Sequence, residues 1–221
     1  MADPVRSAEG EARSREAAGH RRLQRGATLI LASHNAGKLR ELRTMLAPRG
    51  ITVISAAERG LPEPVETGTT FHANAALKAL AAARAANLPA LADDSGCEVA
   101  ALGGAPGVYT ADWATQPDGS RDYAEAMARV AREAGHNPDR RCAFVSVLCM
   151  AWPDGHTQFH EGRVEGVWVH PPRGTHGFGF DPMFIPAHSA LTFGEMTAEQ
   201  KAADNHRSRA FAAFAAACLD E

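Results

Sequence analysis

Four short stretches carry the side chains most able to do chemistry: SHNAGK (Ser33–Lys38), ADDSG (Ala92–Gly96), FGFD (Phe178–Asp181) and a K-x4-HR pattern (Lys201, His206, Arg207). The first follows an apolar run and opens an amphipathic segment, so it predicts a strand, a polar loop and a helix start. Unpaired N–H groups and a partial positive charge at a helix N-terminus attract phosphate. Gly37 lets backbone come close, Lys38 adds a full charge, and Ser33 and Asn35 offer hydrogen bonds. It is not a Walker A loop, which needs Gly-x-x-x-x-Gly-Lys-Ser/Thr. Ala32 stands where the first Gly belongs, and Leu39 follows Lys38.

In ADDSG, two adjacent carboxylates suggest a cation. Successive residues of a strand point to opposite faces, so Asp93 and Asp94 are not expected to share one site. One of them faces the cleft, with Glu66 as a second oxygen ligand; Mg²⁺ is commonly held by one or two carboxylates plus the substrate's phosphates. In FGFD, a Phe ring beside Gly can present a face to a nucleobase, and Asp181 can accept from base N–H groups. Lys201, His206 and Arg207 add donors. Each stretch also has a plainer reading when taken alone: a capped helix start, a turn, an apolar turn, a solvated helix face. No Gly-x-Ser-x-Gly elbow, HExxH helix or Gly-x-Gly-x-x-Gly fingerprint is present.

The elements that must position these groups read as α/β. A strand over 27–32 leads into a helix stopped by Pro48 and Gly50, then a strand over 51–54. An Ala-rich helix capped by Thr69 or Thr70 runs to about Asn87, and ALAD is a short strand ending at Asp93-Asp94-Ser95-Gly96. A helix follows over 121–134. Residues 142–152 and 158–169 read as a long hairpin joined by Pro153-Asp154-Gly155, forming a second lobe. One last helix starts at the capping box Thr197–Gln200 and runs to the C-terminal end.

With 221 residues, 45% hydrophobic and 22% charged, the chain is of soluble globular type and long enough to bury a core unaided. Net charge is −3 and the body has no basic run, which disfavours nucleic acid as the main partner. The four cysteines have no metal-ligand spacing and read as small core residues of a reducing compartment. Residues 1–26 lack the apolar stretch of a secretory signal, and no window suits a membrane span. The expectation is a disordered tail over 1–26 and a single cytoplasmic α/β domain over 27–221.

Taken in order, SHNAGK, ETGTTFHANAALKA, ADDSG, GGAPGVYTAD, GFGFDPMF and K-x4-HR resemble the inosine triphosphate pyrophosphatase (Ham1-like) family from about residue 28 to 219. The resemblance implies an elongated mixed sheet flanked by helices, with two lobes around a central cleft, and a homodimer. It also implies Mg²⁺-dependent hydrolysis of ITP, dITP and XTP to the monophosphate and pyrophosphate. Carried over by position, Ser33, His34, Asn35, Ala36, Gly37 and Lys38 form the phosphate loop. Asp94 is the catalytic carboxylate and a metal ligand beside Ser95, and Glu66 is the other metal-binding acid. Phe178, Gly179, Phe180 and Asp181 hold the base, completed by Lys201, His206 and Arg207. Two positions depart from the family: Ala73 where Glu is frequent, and His34 where Gly is frequent. The residues leave open whether Asp94 takes a proton from water or only holds the metal. The rival readings are a Maf-like pyrophosphatase, which is not expected to carry FGFD and K-x4-HR, and a non-catalytic nucleotide sensor.

Overall fold

The computed structural model describes residues 21–220. A six-stranded sheet in the order β2-β1-β3-β4-β5-β6 organises them. Strand β1 is Thr28–Leu31, and helix α1 spans Ala36–Leu46. A 3-10 turn containing Pro48 stops α1, and Gly50 reverses the chain at φ 66°, where an L side chain would be strained. Strand β2, Thr52–Ser55, returns parallel to β1.

Helix α2, Phe71–Ala86, is capped by Thr70, whose Oγ1 accepts from the Ala73 N–H at 3.1 Å. Its buried face includes Ala75, Ala79, Ala82 and Ala83, so its backbone sits close to the sheet. Strand β3, Ala90–Val99, pairs parallel with β1 and antiparallel with β4, Arg141–Ala151. Strand β4 continues through the predicted hairpin into β5, Thr157–Trp168. That hairpin extends the one sheet rather than forming a separate layer. Helix α3 is Tyr123–Ala134 and β6 is Phe184–Pro186.

The structure differs from expectation in three places. Asp93 and Asp94 lie in the middle of a ten-residue strand, not at its end. Pairing with β4 overrides the turn preference of Asp, Ser and Gly. The last helix is two: α4, Ala198–Ala203, and α5, His206–Cys218. Asn205 breaks them because its side chain caps α5, accepting from the Arg207 and Ser208 N–H groups. Residues 1–20 of the expected tail lie outside the described residues. Within residues 21–26, Leu23 is buried and pairs with Leu219, and Arg22 reaches Asp220 at 3.0 Å, while the residues other than Leu23 are exposed.

The core falls into three clusters. Leu29, Leu31, Leu91 and Met150 meet α1 and α5 on one sheet face, while Ile30, Ala90 and Val147 meet α2 on the other. Full burial of such aliphatic side chains contributes roughly 1.5–3 kcal/mol each. Further along β3, β4 and β5, Val99, Phe144 and Val164 pack with Val130 of α3, with the Phe144 and Phe184 rings stacked at 4.1 Å. Helix α5 rests directly on β5: a Cβ at Gly162 would collide with the backbone of His206 and Ala210. No described helix is long and apolar enough to cross a membrane.

Candidate active site

A cleft of about 410 Å³ opens where the β1–α1 loop, β3, the Phe178 loop and α5 converge. Lys38 and Asp94 both line it, along with most residues anticipated from the sequence. Ala36 and Gly37 do not. Gly37 instead backs Phe178: a Cβ there would stand 2.8 Å from that ring.

The loop is held by its own polar groups. Asn35 Oδ1 accepts from the N–H of Gly37 at 2.9 Å and of Lys38 at 3.2 Å, while Ser33 Oγ accepts from Asn35. His34 Nδ1 lies 3.5 Å from Glu63 at the rim. Lys38 reaches inward, its ammonium 2.8 Å from Asp93 Oδ2. Burial lowers the Lys38 pKa, partly opposed by Asp93.

The two carboxylates of ADDSG have separate partners, as strand alternation requires. Asp93 is buried against Lys38, Ser146 Oγ at 2.5 Å, Ser95 Oγ at 3.1 Å and Arg207 Nη2 at 3.3 Å. Burial disfavours its charge, but Arg207 and Lys38 overcome this and hold it well below the usual carboxylate range. Asp94 meets Lys78, whose Nζ is 2.9 Å from Asp94 Oδ1 and 2.6 Å from Glu66 Oε1. The other oxygen, Asp94 Oδ2, is buried with no hydrogen-bond partner. Burial raises the Asp94 pKa against the pull of Lys78, and the two acids raise that of Lys78 against its own burial.

This arrangement fits a divalent cation. Two carboxylates converge on one positive charge, and one oxygen is left unsatisfied. No group of three or more His, Cys, Asp or Glu among the described residues could hold a metal. A cation held by these two carboxylates would take its remaining oxygen ligands from water or substrate phosphates, as Mg²⁺ commonly does.

At the other end, the Phe178 N–H donates to Asp181 Oδ2 at 2.8 Å, and Lys201 Nζ donates to the same oxygen at 2.7 Å. Lys201 also reaches Glu41 at 3.3 Å and lies 4.5 Å from the Phe178 ring centroid. Arg207 is buried, with its Nη groups on Glu41, Asp93 and Ser95 Oγ. Those donors are engaged within the protein. Arg207 Nε, by contrast, is buried with no hydrogen-bond partner. His206 is buried edge-on to Phe144 at 5.2 Å, and its Nδ1 has no partner. Burial, reinforced by Arg207 and Lys201, lowers its pKa well below the ordinary value, so the ring is neutral. Tyr123 supports Phe180 edge-to-face at 5.9 Å.

Sequence reasoning missed Lys78 and Glu41. Lys78 lies within the quoted FHANAALKA stretch, four residues beyond Asn74, on the face of α2 otherwise buried as alanine. A Lys on an apolar helix face was the available signal. Glu41 lies three residues past Lys38, on the same side of α1. The four cysteines are buried and free, and burial pushes the Cys149 thiol up to about 12, consistent with core packing.

Comparison with known proteins agrees with this geometry. Residues 29–217 match the model of the Ham1 family. The chain is 58% identical over 200 residues to a dITP/XTP pyrophosphatase of Gluconobacter oxydans, covering 90% of this chain and 95% of that one. A HAM1 protein from Coxiella burnetii superposes with a TM-score of 0.77 at 36% identity, covering 84% of this chain and 95% of that one. The Staphylococcus aureus Ham1 protein gives 0.76 at 34% identity, covering 86% and 96%. With its fold and nearly its whole length accounted for in this way, the chain belongs to the Ham1 family.

Proposed function

We propose that this protein hydrolyses the non-standard purine nucleoside triphosphates ITP, dITP and XTP to the monophosphate and pyrophosphate, clearing deaminated purines from the nucleotide pool. The observation that carries the proposal is the convergence of Asp94 and Glu66 on one ammonium, beside an Asn35-capped loop and across from Phe178. Such a cleft offers a cation site, phosphate donors and an aromatic face to one nucleotide.

Asp94 and Glu66 would hold Mg²⁺, which when bound offsets the charge of the triphosphate and of the departing pyrophosphate. Lys38 and the loop donors orient the tail. Lys78, displaced from between the two acids, remains beside them to bind phosphate. Asp94 Oδ2, which has no protein partner, would be the oxygen available to orient or deprotonate water for attack on the α-phosphorus. Phe178 supplies the face for the base. Lys201 has two of its three N–H groups engaged, leaving one to donate to O6 of hypoxanthine or xanthine. Adenine presents an amino group there, and a mismatched buried donor supports discrimination of roughly 10⁴-fold. Asp181 fixes Lys201 and the Phe178 backbone rather than meeting the base with that oxygen. Ser33, His34, Ser95, Gly179 and Phe180 complete the walls.

The same proposal includes Mg²⁺ as the metal, a cytoplasmic homodimer, and two lobes formed by the clusters flanking the cleft within a single domain. FGFD and K-x4-HR both lie at the cleft, which favours this specificity over a Maf-like one. The test is product identification with purified protein and Mg²⁺ against ITP, dITP, XTP, ATP, GTP, dUTP and TTP. Monophosphate and pyrophosphate from the first three alone are expected. Turnover of dUTP or TTP in preference would reassign the substrate, and ITP binding without pyrophosphate release would leave a sensor. Sedimentation at micromolar concentration tests the dimer.

A further inference from the structure

Cations and carboxylates nearly balance in the resting cleft. Lys38 is paired with Asp93, Lys78 with Glu66 and Asp94, Lys201 with Asp181 and Glu41, and Arg207 with Glu41 and Asp93. A triphosphate entering such a site must compete with a carboxylate for each of these four. Arg121 is different. It lines the cleft from the segment that leads into α3, and its guanidinium has no hydrogen bond, ion pair or ring contact among the described residues.

The freedom belongs to the side chain and not to the backbone. Residues 115 and 121 form a bridge, Gln116 N–H donates to Ser120 O at 2.8 Å, and Asp122 N–H donates to the buried Ala114 carbonyl at 2.7 Å. Asp122 then caps α3 through the Glu125 N–H, and Arg129 lies 3.9 Å over the Trp113 ring, tying this segment to α3. A rigid anchor thus presents an exposed, permanently charged fork to a cleft whose other cations are already neutralised. Guanidinium donors match paired phosphate oxygens and bind them by charge-assisted hydrogen bonds.

We propose that Arg121 binds the terminal phosphates of the bound nucleotide and holds the pyrophosphate that leaves. This rests on the triphosphatase reading, so its test uses a probe that requires neither a base nor turnover: inorganic tripolyphosphate, titrated calorimetrically with Mg²⁺ into the full chain. Arg121→Ala should weaken tripolyphosphate about tenfold, the size of one lost charge-assisted contact, and leave IMP binding unchanged. It should raise KM for ITP and for XTP by one common factor. Arg121→Lys should recover part of the loss by keeping charge without the fork.

Unchanged tripolyphosphate affinity in Arg121→Ala overturns the assignment, as does a wild type that does not bind this probe. A loss confined to XTP also overturns it, by placing Arg121 at the base. If the wild type binds tripolyphosphate through Arg121 but releases no pyrophosphate from ITP, only the hydrolase reading fails. Normal ITP hydrolysis with Arg121→Ala indistinguishable from wild type sinks only the Arg121 assignment.

Discussion

At the Asp94 end of the cleft, one ammonium is divided between two acids and a buried carboxylate oxygen has no partner. At the Phe178 end, Asp181, Lys201, Glu41 and Arg207 bind one another, and Arg207 continues to Asp93 beneath β3. Both ends carry buried charge and buried atoms without a partner, Asp94 Oδ2 at the first and Arg207 Nε and His206 Nδ1 at the second. Only at the first is that atom a carboxylate oxygen beside a shared ammonium, an open end whose partners would exchange when a cation and phosphates arrive. At the second, each carboxylate is paired with a cation, a locked end that would suit the proposed presentation of one fixed shape to a planar base. On the proposed function, chemistry would fall where the network is open and selection where it is locked.

Breaking the open end should cost the most activity. Asp94→Asn keeps the side-chain volume and removes the charge; the fold should persist while kcat falls by about 10³-fold, the scale of a lost acid–base group. Pyrophosphate release at the wild-type rate would remove Asp94 from the mechanism. Breaking the locked end should instead cost stability. Arg207→Ala leaves Asp93 and Glu41 short of a partner, and urea unfolding should show a loss of about 3 kcal/mol, at the lower end for a severed buried pair because Lys38 still holds Asp93. An unchanged urea midpoint would mean that the two ends do not differ as described.

Gly37→Ala probes the joint between them. The added methyl meets the Phe178 ring, and overpacking of this kind costs about 1–3 kcal/mol unless the ring moves. The expected outcome is a raised KM for ITP with kcat less affected, since the ring and not the water is displaced.

The smallest effect is a pH dependence at the locked end. His206 is neutral in the fold, with its pKa below the ordinary value. As pH falls through about 6.5 the unfolded chain takes up a proton there that the folded chain does not, so stability declines with acidification and is full above that range. His206→Gln should flatten the decline between pH 7.5 and 5.5 by up to about 1.4 kcal/mol per pH unit. An identical slope in both proteins would mean that the ring protonates in place.

Features set by neighbouring residues were legible in the sequence. The Asn35 cap, the separate faces of Asp93 and Asp94, and the hairpin around Pro153 each depend on a few adjacent positions. Those set by distant partners were not. DDSG has the composition of a turn, and only β4 makes it strand. Lys78 and Glu41 sit on helices where a charged residue ordinarily faces solvent. The last helix divides at Asn205, whose cap and Ser208 signal was present but masked by the earlier Thr197 start. Nor could the sequence show that Asp181 and Arg207 already have protein partners, since these lie far along the chain.

Gly162 does not line the cleft, yet it carries a constraint that reaches two residues that do, His206 and Arg207. Because α5 rests its main chain on that bare position, even one methyl group there would lift the first turn of the helix, and with it His206 and Arg207. On the proposed function, the fidelity of base selection would be exposed to mutation at a glycine outside the cleft. Damage there should first blunt the distinction between inosine and adenosine nucleotides, while metal dependence persists.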